Sequence, residues 1–251
     1  MRYVPPRSFL LIALLMLLIA ACDMGGQPSA TPTPPPTPTP TPTPAERTSQ
    51  IAKAMLSVNS FHFAIKAEGA PIATDETGAF TIMNIEGDLQ RPANVQAIVR
   101  VRGGGALIDI RTVALADQQY LTNPITRQWQ CAPPGSLFNP AVLFDPDQGI
   151  EHLLQNEFQN VELVGTEQID GSTQLHLRGT LDGPPLMAIS ANSIGYGTVQ
   201  ADLWADASTL QISKLELVDP ATNATDPTKL TMTFSDYNKS LDIREPPEAQ
   251  C

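Results

Sequence analysis

The sequence is poor in cysteine and in positive charge, and it lacks every common catalytic motif. Its three cysteines, Cys22, Cys131 and Cys251, form no CxxC pair and neighbour no histidine cluster, so no metal site and no cofactor is expected. Fifteen Lys and Arg stand against 26 Asp and Glu, a net charge of −11. Nucleic acid needs concentrated Lys and Arg, so it is excluded as a partner, as is electrostatic adhesion to anionic lipid. His62, His152 and His176 are isolated from any GxSxG or HExxH pattern, and a non-enzymatic protein is expected. Gly103-Gly104-Gly105 links two strands without a following helix and reads as a turn. Asp145, Asp147 and Glu151 lack the regular ligand spacing of a calcium loop, and helix capping accounts better for Asp145. After the first 22 residues no apolar run reaches membrane-spanning length.

The one long apolar run is at the start. Arg2 and Arg7 precede an unbroken apolar stretch from Phe9 to Ala20, which ends in Ile19-Ala20-Ala21-Cys22. Charged, apolar and small-residue segments in that order form a secretory signal. The last four residues resemble a lipobox, so residues 1–21 are expected to be a lipoprotein signal peptide and Cys22 to carry a diacylglyceryl anchor. Residues 22–44 follow as a tether, almost pure Thr-Pro repeat from Thr31 to Pro44. Such a sequence buries no apolar surface and extends as polyproline II, reaching about 40 Å at about 3.1 Å per residue. The expected location is extracytoplasmic, lipid-anchored to a membrane of the cell envelope. Cys131 and Cys251 are left either to pair as one disulfide or for terminal Cys251 to stay free.

Residues 45–251 form one expected domain. Thr43-Pro44-Ala45-Glu46 has the pattern of a capping box, and Ile51, Ala54, Met55 and Val58 follow at helical spacing. At Phe61 the period changes to two: Phe61, Phe63, Ile65 and Ala67 alternate with polar residues. Further alternating segments lie near 79–89, 94–102, 105–116 and 118–122. A helical region follows over 140–156, with a cap-like start at Asp145. Two strands then flank Asp170-Gly171, a strong hairpin signal. A short helix is read over 184–193, and three last strands near 197–205, 209–218 and 228–237. Short spacings without intervening helices imply antiparallel neighbours, hence an α+β domain with a long antiparallel meander.

The order of these segments resembles the LppX/LprA/LprF/LprG lipoproteins and, more distantly, the LolA/LolB lipoprotein carriers. The resemblance covers nearly the whole mature chain. Its residues include Ile51 to Phe63, Ile85-Glu86-Gly87-Asp88-Leu89, Tyr120 to Pro124, Leu143-Phe144-Asp145-Pro146, Ile194-Gly195-Tyr196-Gly197, Leu203-Trp204-Ala205-Asp206 and Phe234-Ser235-Asp236-Tyr237. It implies a strongly curved antiparallel sheet, a half-barrel wrapped over a few helices around a hydrophobic cavity. The implied activity is binding of acylated lipid or glycolipid and its carriage within the cell envelope, with a lipid transporter as a further partner.

On that reading Phe61, Phe63 and Ile65 are wall candidates from the first strand. Met55, Leu143, Phe144, Leu154 and Met187 are candidates from the helices. Each can equally be ordinary core. Trp129 and Trp204 are ambiguous, since an indole also braces a hairpin edge. The competing reading is a tethered interaction module for an envelope partner, with a filled or vestigial cavity.

Overall fold

Local chemistry starts the first helix. The Thr43 hydroxyl accepts from the Glu46 N–H at 3.3 Å, and the Glu46 carboxylate accepts from the Thr43 N–H at 2.7 Å. This reciprocal cap, with Pro44 inside it, opens α1 (Pro44–Leu56). Thr48, Ile51, Ala52 and Met55 form its buried face, Ala52 taking the place expected of Ala54. The computed structural model describes residues 41–74, 77–116, 118–132, 140–190 and 192–251. The expected signal peptide, Cys22, the tether up to residue 40 and most of the Pro-rich loop after Cys131 lie outside the described residues.

Strand β1 (Ser60–Glu68) buries Phe61, Phe63 and Ile65 and turns His62 and Lys66 outward. The chain then runs through β2 (Ile72–Ala73), β3 (Phe80–Gln90), β4 (Asn94–Gly103), β5 (Ala106–Leu115), β6 (Gln118–Thr122) and β7 (Trp129–Ala132). A 3-10 helix (Pro140–Phe144) and α2 (Ile150–Asn156) precede β8 (Phe158–Ile169) and β9 (Ser172–Leu181). Helix α3 (Gly183–Ile189), β10 (Val199–Asp206), β11 (Ile212–Asp219) and β12 (Thr228–Ser235) complete the order. The 12 strands make one open antiparallel sheet, ordered β7-β6-β5-β4-β3-β1-β12-β11-β10-β9-β8, with β2 beside β3. The first strand is therefore the seam: β3 pairs with one side of it and β12 with the other.

The fold is α+β, and its sheet is curved. Ile110 of β5 and Leu217 of β11 line the same cavity although four strands lie between them. In a flat sheet five steps of about 4.8 Å would hold them roughly 24 Å apart. Asp170 and Gly171 both adopt positive φ, 49° and 82°, in the two-residue β8–β9 turn, which glycine accommodates at its second position.

The expected helix over 140–156 is two pieces. Pro146 biases Asp145 away from helical backbone, so the 3-10 helix stops at Phe144. The Asp145 carboxylate accepts from the Asp147 N–H at 2.9 Å and closes a turn, while Gly149 caps α2 without a side-chain bond. Asp145 is thus a turn residue and not the helix cap expected of it.

Phe61, Phe144 and Phe234 anchor the main core. The Phe144 ring meets Phe61 edge-on at 4.9 Å and lies 6.4 Å from Phe234. These contacts fasten the 3-10 helix to the seam of the sheet. A smaller cluster of Val113, Tyr120 and Ile243 lies apart from the main core, where the C-terminal tail packs. That tail also covers an edge. Gln250 pairs in parallel with β7, and a disulfide joins Cys131 to Cys251 across a Cα separation of 4.9 Å. The other edge, β8, is broken by two register shifts, which make it a poor template for another strand. Pro42–Cys251 is a compact unit holding the sheet, the described helices, the core and the disulfide.

Candidate functional site

Period-two alternation puts one row of side chains from each strand on the concave face. Across β1, β3, β4 and β5, Phe63 stands beside Gly87, Ala97 and Thr112 in register. A Cβ on Gly87 would lie 2.7 Å from the Ala97 Cβ and 2.2 Å from the Gln96 carbonyl oxygen, so this row must be small. The space left is a cavity of about 350 Å³, within the range of small-molecule sites. Ile65, Ile85, Ala97 and Ile110 line it from β1, β3, β4 and β5, and the wall continues through Met232 and Leu230 of β12 to Leu217 of β11. Leu143, Ile150, Leu186, Ile189 and Ile194 cover it from the helical side. Among the described residues no charged side chain lines it. Its polar groups are few, among them Thr112, Ser190 and Ser193.

Three charged side chains, Arg91, Glu151 and Asp219, hold the cover in place. Arg91, in the β3–β4 turn, donates from Nε to the Val58 carbonyl at 3.0 Å and from Nη1 to the Phe144 carbonyl. Its Nη2 pairs with Glu151 of α2. One guanidinium thus ties the end of α1, the 3-10 helix and α2 together. Burial lifts the Glu151 carboxyl above the usual carboxylate range, and the facing Arg91 only partly offsets this. On the other side Asp219 Oδ2 accepts from the Gly195 and Tyr196 N–H groups at 2.7 and 2.9 Å. These bonds fix the segment that carries Ile194. Gly195 has φ +106°, and a Cβ there would sit 2.4 Å from the Gly183 carbonyl oxygen, so glycine lets α3 close against it.

The sequence candidates fall into three groups. Phe63, Ile65 and Leu143 line the cavity. Met55, Phe61, Phe144 and Leu154 are packed in the core outside its walls. Met187 is half-buried on α3, outside the lining to which its neighbours Leu186 and Ile189 belong. Ala97, Ile110, Leu217, Leu230 and Met232 are wall positions that sequence reasoning missed; the only signal was their inward parity on alternating strands.

The histidines lie elsewhere. His176 Nδ1 is 2.8 Å from Glu167 and its Nε2 2.6 Å from Asp202, and its ring stacks on Trp204 with centroids 4.2 Å apart. Lys214 Nζ stands 3.6 Å from the Trp204 ring centroid. These outward-facing groups brace β9, β10 and β11. His62 bonds Asp88 at 2.8 Å on the outer face of β1. His152 contacts Asn156 one turn along α2. None of the three lines the cavity.

The profile of the LppX_LprAFG lipoprotein family matches residues 43–243, the stretch that builds the sheet and the cavity. The chain belongs to this family. The lipoarabinomannan carrier protein LprG of Mycobacterium tuberculosis is 22% identical over 232 residues, 91% of this chain and 89% of that protein. Among solved structures, LprF from Mycobacterium bovis superposes with a TM-score of 0.62 at 16% identity, over 83% of this chain and 99% of that one. LppX from Mycobacterium tuberculosis gives 0.58 at 14% identity, over 80% and 98%. At these identities the two structures establish the shared curved-sheet fold.

Proposed function

We propose that this lipoprotein binds the acyl chains of a lipid or glycolipid in its cavity and carries that lipid within the cell envelope without catalysing a reaction. The observation that carries the proposal is the cavity of about 350 Å³ between the concave sheet and α3, lined by no charged side chain among the described residues. Acyl chains entering such a space leave water at a gain of at most about 25 cal/mol per Å² buried. The name of LprG, a lipoarabinomannan carrier, supports a lipid ligand.

The N-terminal segments complete the proposal. Residues 1–21 act as a lipoprotein signal peptide, Cys22 carries the anchor, and residues 22–44 give the domain reach from the membrane. A lipid transporter in the same membrane is the partner to which the cargo passes. Each anchor CH₂ buried in the bilayer contributes about 0.8 kcal/mol.

Native mass spectrometry of the Pro42–Cys251 unit purified from bacteria tests the binding. Co-purifying mass that organic extraction removes and identifies as acyl lipid is the expected result. A domain that stays empty and takes up no fluorescent fatty acid would overturn the proposal in favour of an interaction module.

A further inference from the structure

A second hollow, of about 960 Å³, lies beside the cavity where the sheet splits. Beyond the pair Lys66–Asn84, β1 parts from β3 and continues beside β12 alone, to Glu68 opposite Lys229. There β3 shifts register between Ile82 and Asn84 and takes β2 as its neighbour, Ile72 opposite Ile82. Ile65, Ala67, Ile72, Ile82 and Ile85 line both spaces, so the apolar cavity and the outer hollow meet at this split.

The outer hollow differs in chemistry from the cavity. Its polar lining includes Lys66, Glu68, Asn84, Arg100, Arg102, Thr231 and Thr233, three cations against one carboxylate. Lys66 is paired with Glu68 at 2.8 Å, and Arg100 with Asp109 at 2.7 and 2.9 Å. Arg102, two positions along the same face of β4, is exposed and has no ion-pair or hydrogen-bond partner among the described residues. An unneutralised guanidinium thus lines the hollow that meets the apolar cavity, in a chain whose net charge is −11.

We propose that this hollow seats an anionic, phosphate-bearing head group of the lipid whose acyl chains occupy the cavity, with Arg102 as its principal contact. The inference rests on the carrier reading and narrows its cargo to anionic lipid. A guanidinium matches the paired oxygens of a phosphate and gains less from a neutral head group, which offers no opposite charge. The neighbouring threonine hydroxyls and Lys66 supply further donors.

The test compares two probes with identical chains, dioctanoyl phosphatidylglycerol and dioctanoylglycerol, titrated into the Pro42–Cys251 unit. One charge-assisted contact predicts about tenfold tighter binding of the phosphatidylglycerol. Arg102→Gln is expected to erase that preference and leave dioctanoylglycerol affinity unchanged. Lys229→Gln, which removes an equal charge from an ion pair with Glu216 outside the hollow, is expected to keep it. Equal affinity for both lipids in the wild type, or a preference that survives Arg102→Gln, overturns the head-group site alone and leaves the carrier reading standing. Failure of both lipids to bind overturns both. Glycerol 1-phosphate binding as tightly as phosphatidylglycerol would make the hollow a soluble-phosphate site and overturn the lipid assignment.

Discussion

Arg91 and Glu151, 60 positions apart, form an ion pair in which the carboxylate side chain is only 1% exposed. The second carboxylate oxygen of Glu151 has no hydrogen-bond partner among the described residues. Breaking such a pair from one side leaves a buried charge, so Arg91→Met is expected to cost about 3–5 kcal/mol, read as a fall in the urea midpoint.

The same pair sets a pH dependence. Because burial raises the Glu151 carboxyl in the folded state, the folded chain retains a proton that the unfolded chain releases above about pH 4.5. Stability from this group is therefore full below that pH and falls as pH rises through the folded value. Relative to Glu151→Gln, the wild type is expected to be most stable near pH 4.5 and to lose ground toward pH 8. Paired urea titrations check the sign, and a gap that moves the other way refutes it.

Filling the cavity separates binding from folding. Ala97 faces open space on the concave side, so Ala97→Phe places its ring where a ligand would lie. Fatty-acid uptake is expected to fall at least tenfold, with a stability change within about 1–3 kcal/mol. Circular dichroism and a fluorescent fatty-acid titration on the same sample would reveal whether the two move together.

Phe63 and Phe144 behave differently from Ala97. Their rings are buried with centroids 5.7 Å apart, and Phe63 lies at the boundary between core and cavity. Phe63→Asp buries an unpaired charge and is expected to unfold the domain, so it cannot serve as a binding probe. Phe144→Ala, which detaches the 3-10 helix, is expected to cost about 3–5 kcal/mol by denaturant unfolding.

The disulfide belongs to stability and not to the cavity. Replacing Cys131 and Cys251 by serine is expected to lower stability by about 2–4 kcal/mol. Amides of β6 and β7 should then exchange faster, while fatty-acid uptake persists, because neither cysteine lines the cavity. Hydrogen exchange read by mass spectrometry resolves the two effects.

Much of the fold was legible locally. The Thr43 cap, the inward parity of Phe61, Phe63 and Ile65, and the Asp170-Gly171 turn all act within a few residues of themselves. The cavity was not, because it depends on which strands become neighbours. Nothing in the local pattern brings Leu230 and Met232 across from Ile65; only the pairing of β12 with β1 does. Met55, Phe61 and Phe144 have the same apolar character as true wall residues, yet close packing fills the space around them. The β7 strand was hidden for a similar reason, since its edge is completed by Gln250 from the far end of the chain.

The seam position of β1 bears on the order in which the chain can mature. Its partner β12 is the last strand made, and the Asn59 N–H beside β1 donates to the Asn238 side-chain oxygen, 179 positions away. Until the C-terminal segment emerges, Phe61 and Phe63 have only one flank covered. Closure of so distant a contact is slow, so a chain emerging from its N-terminus stays sticky and protease-sensitive until its synthesis is nearly complete.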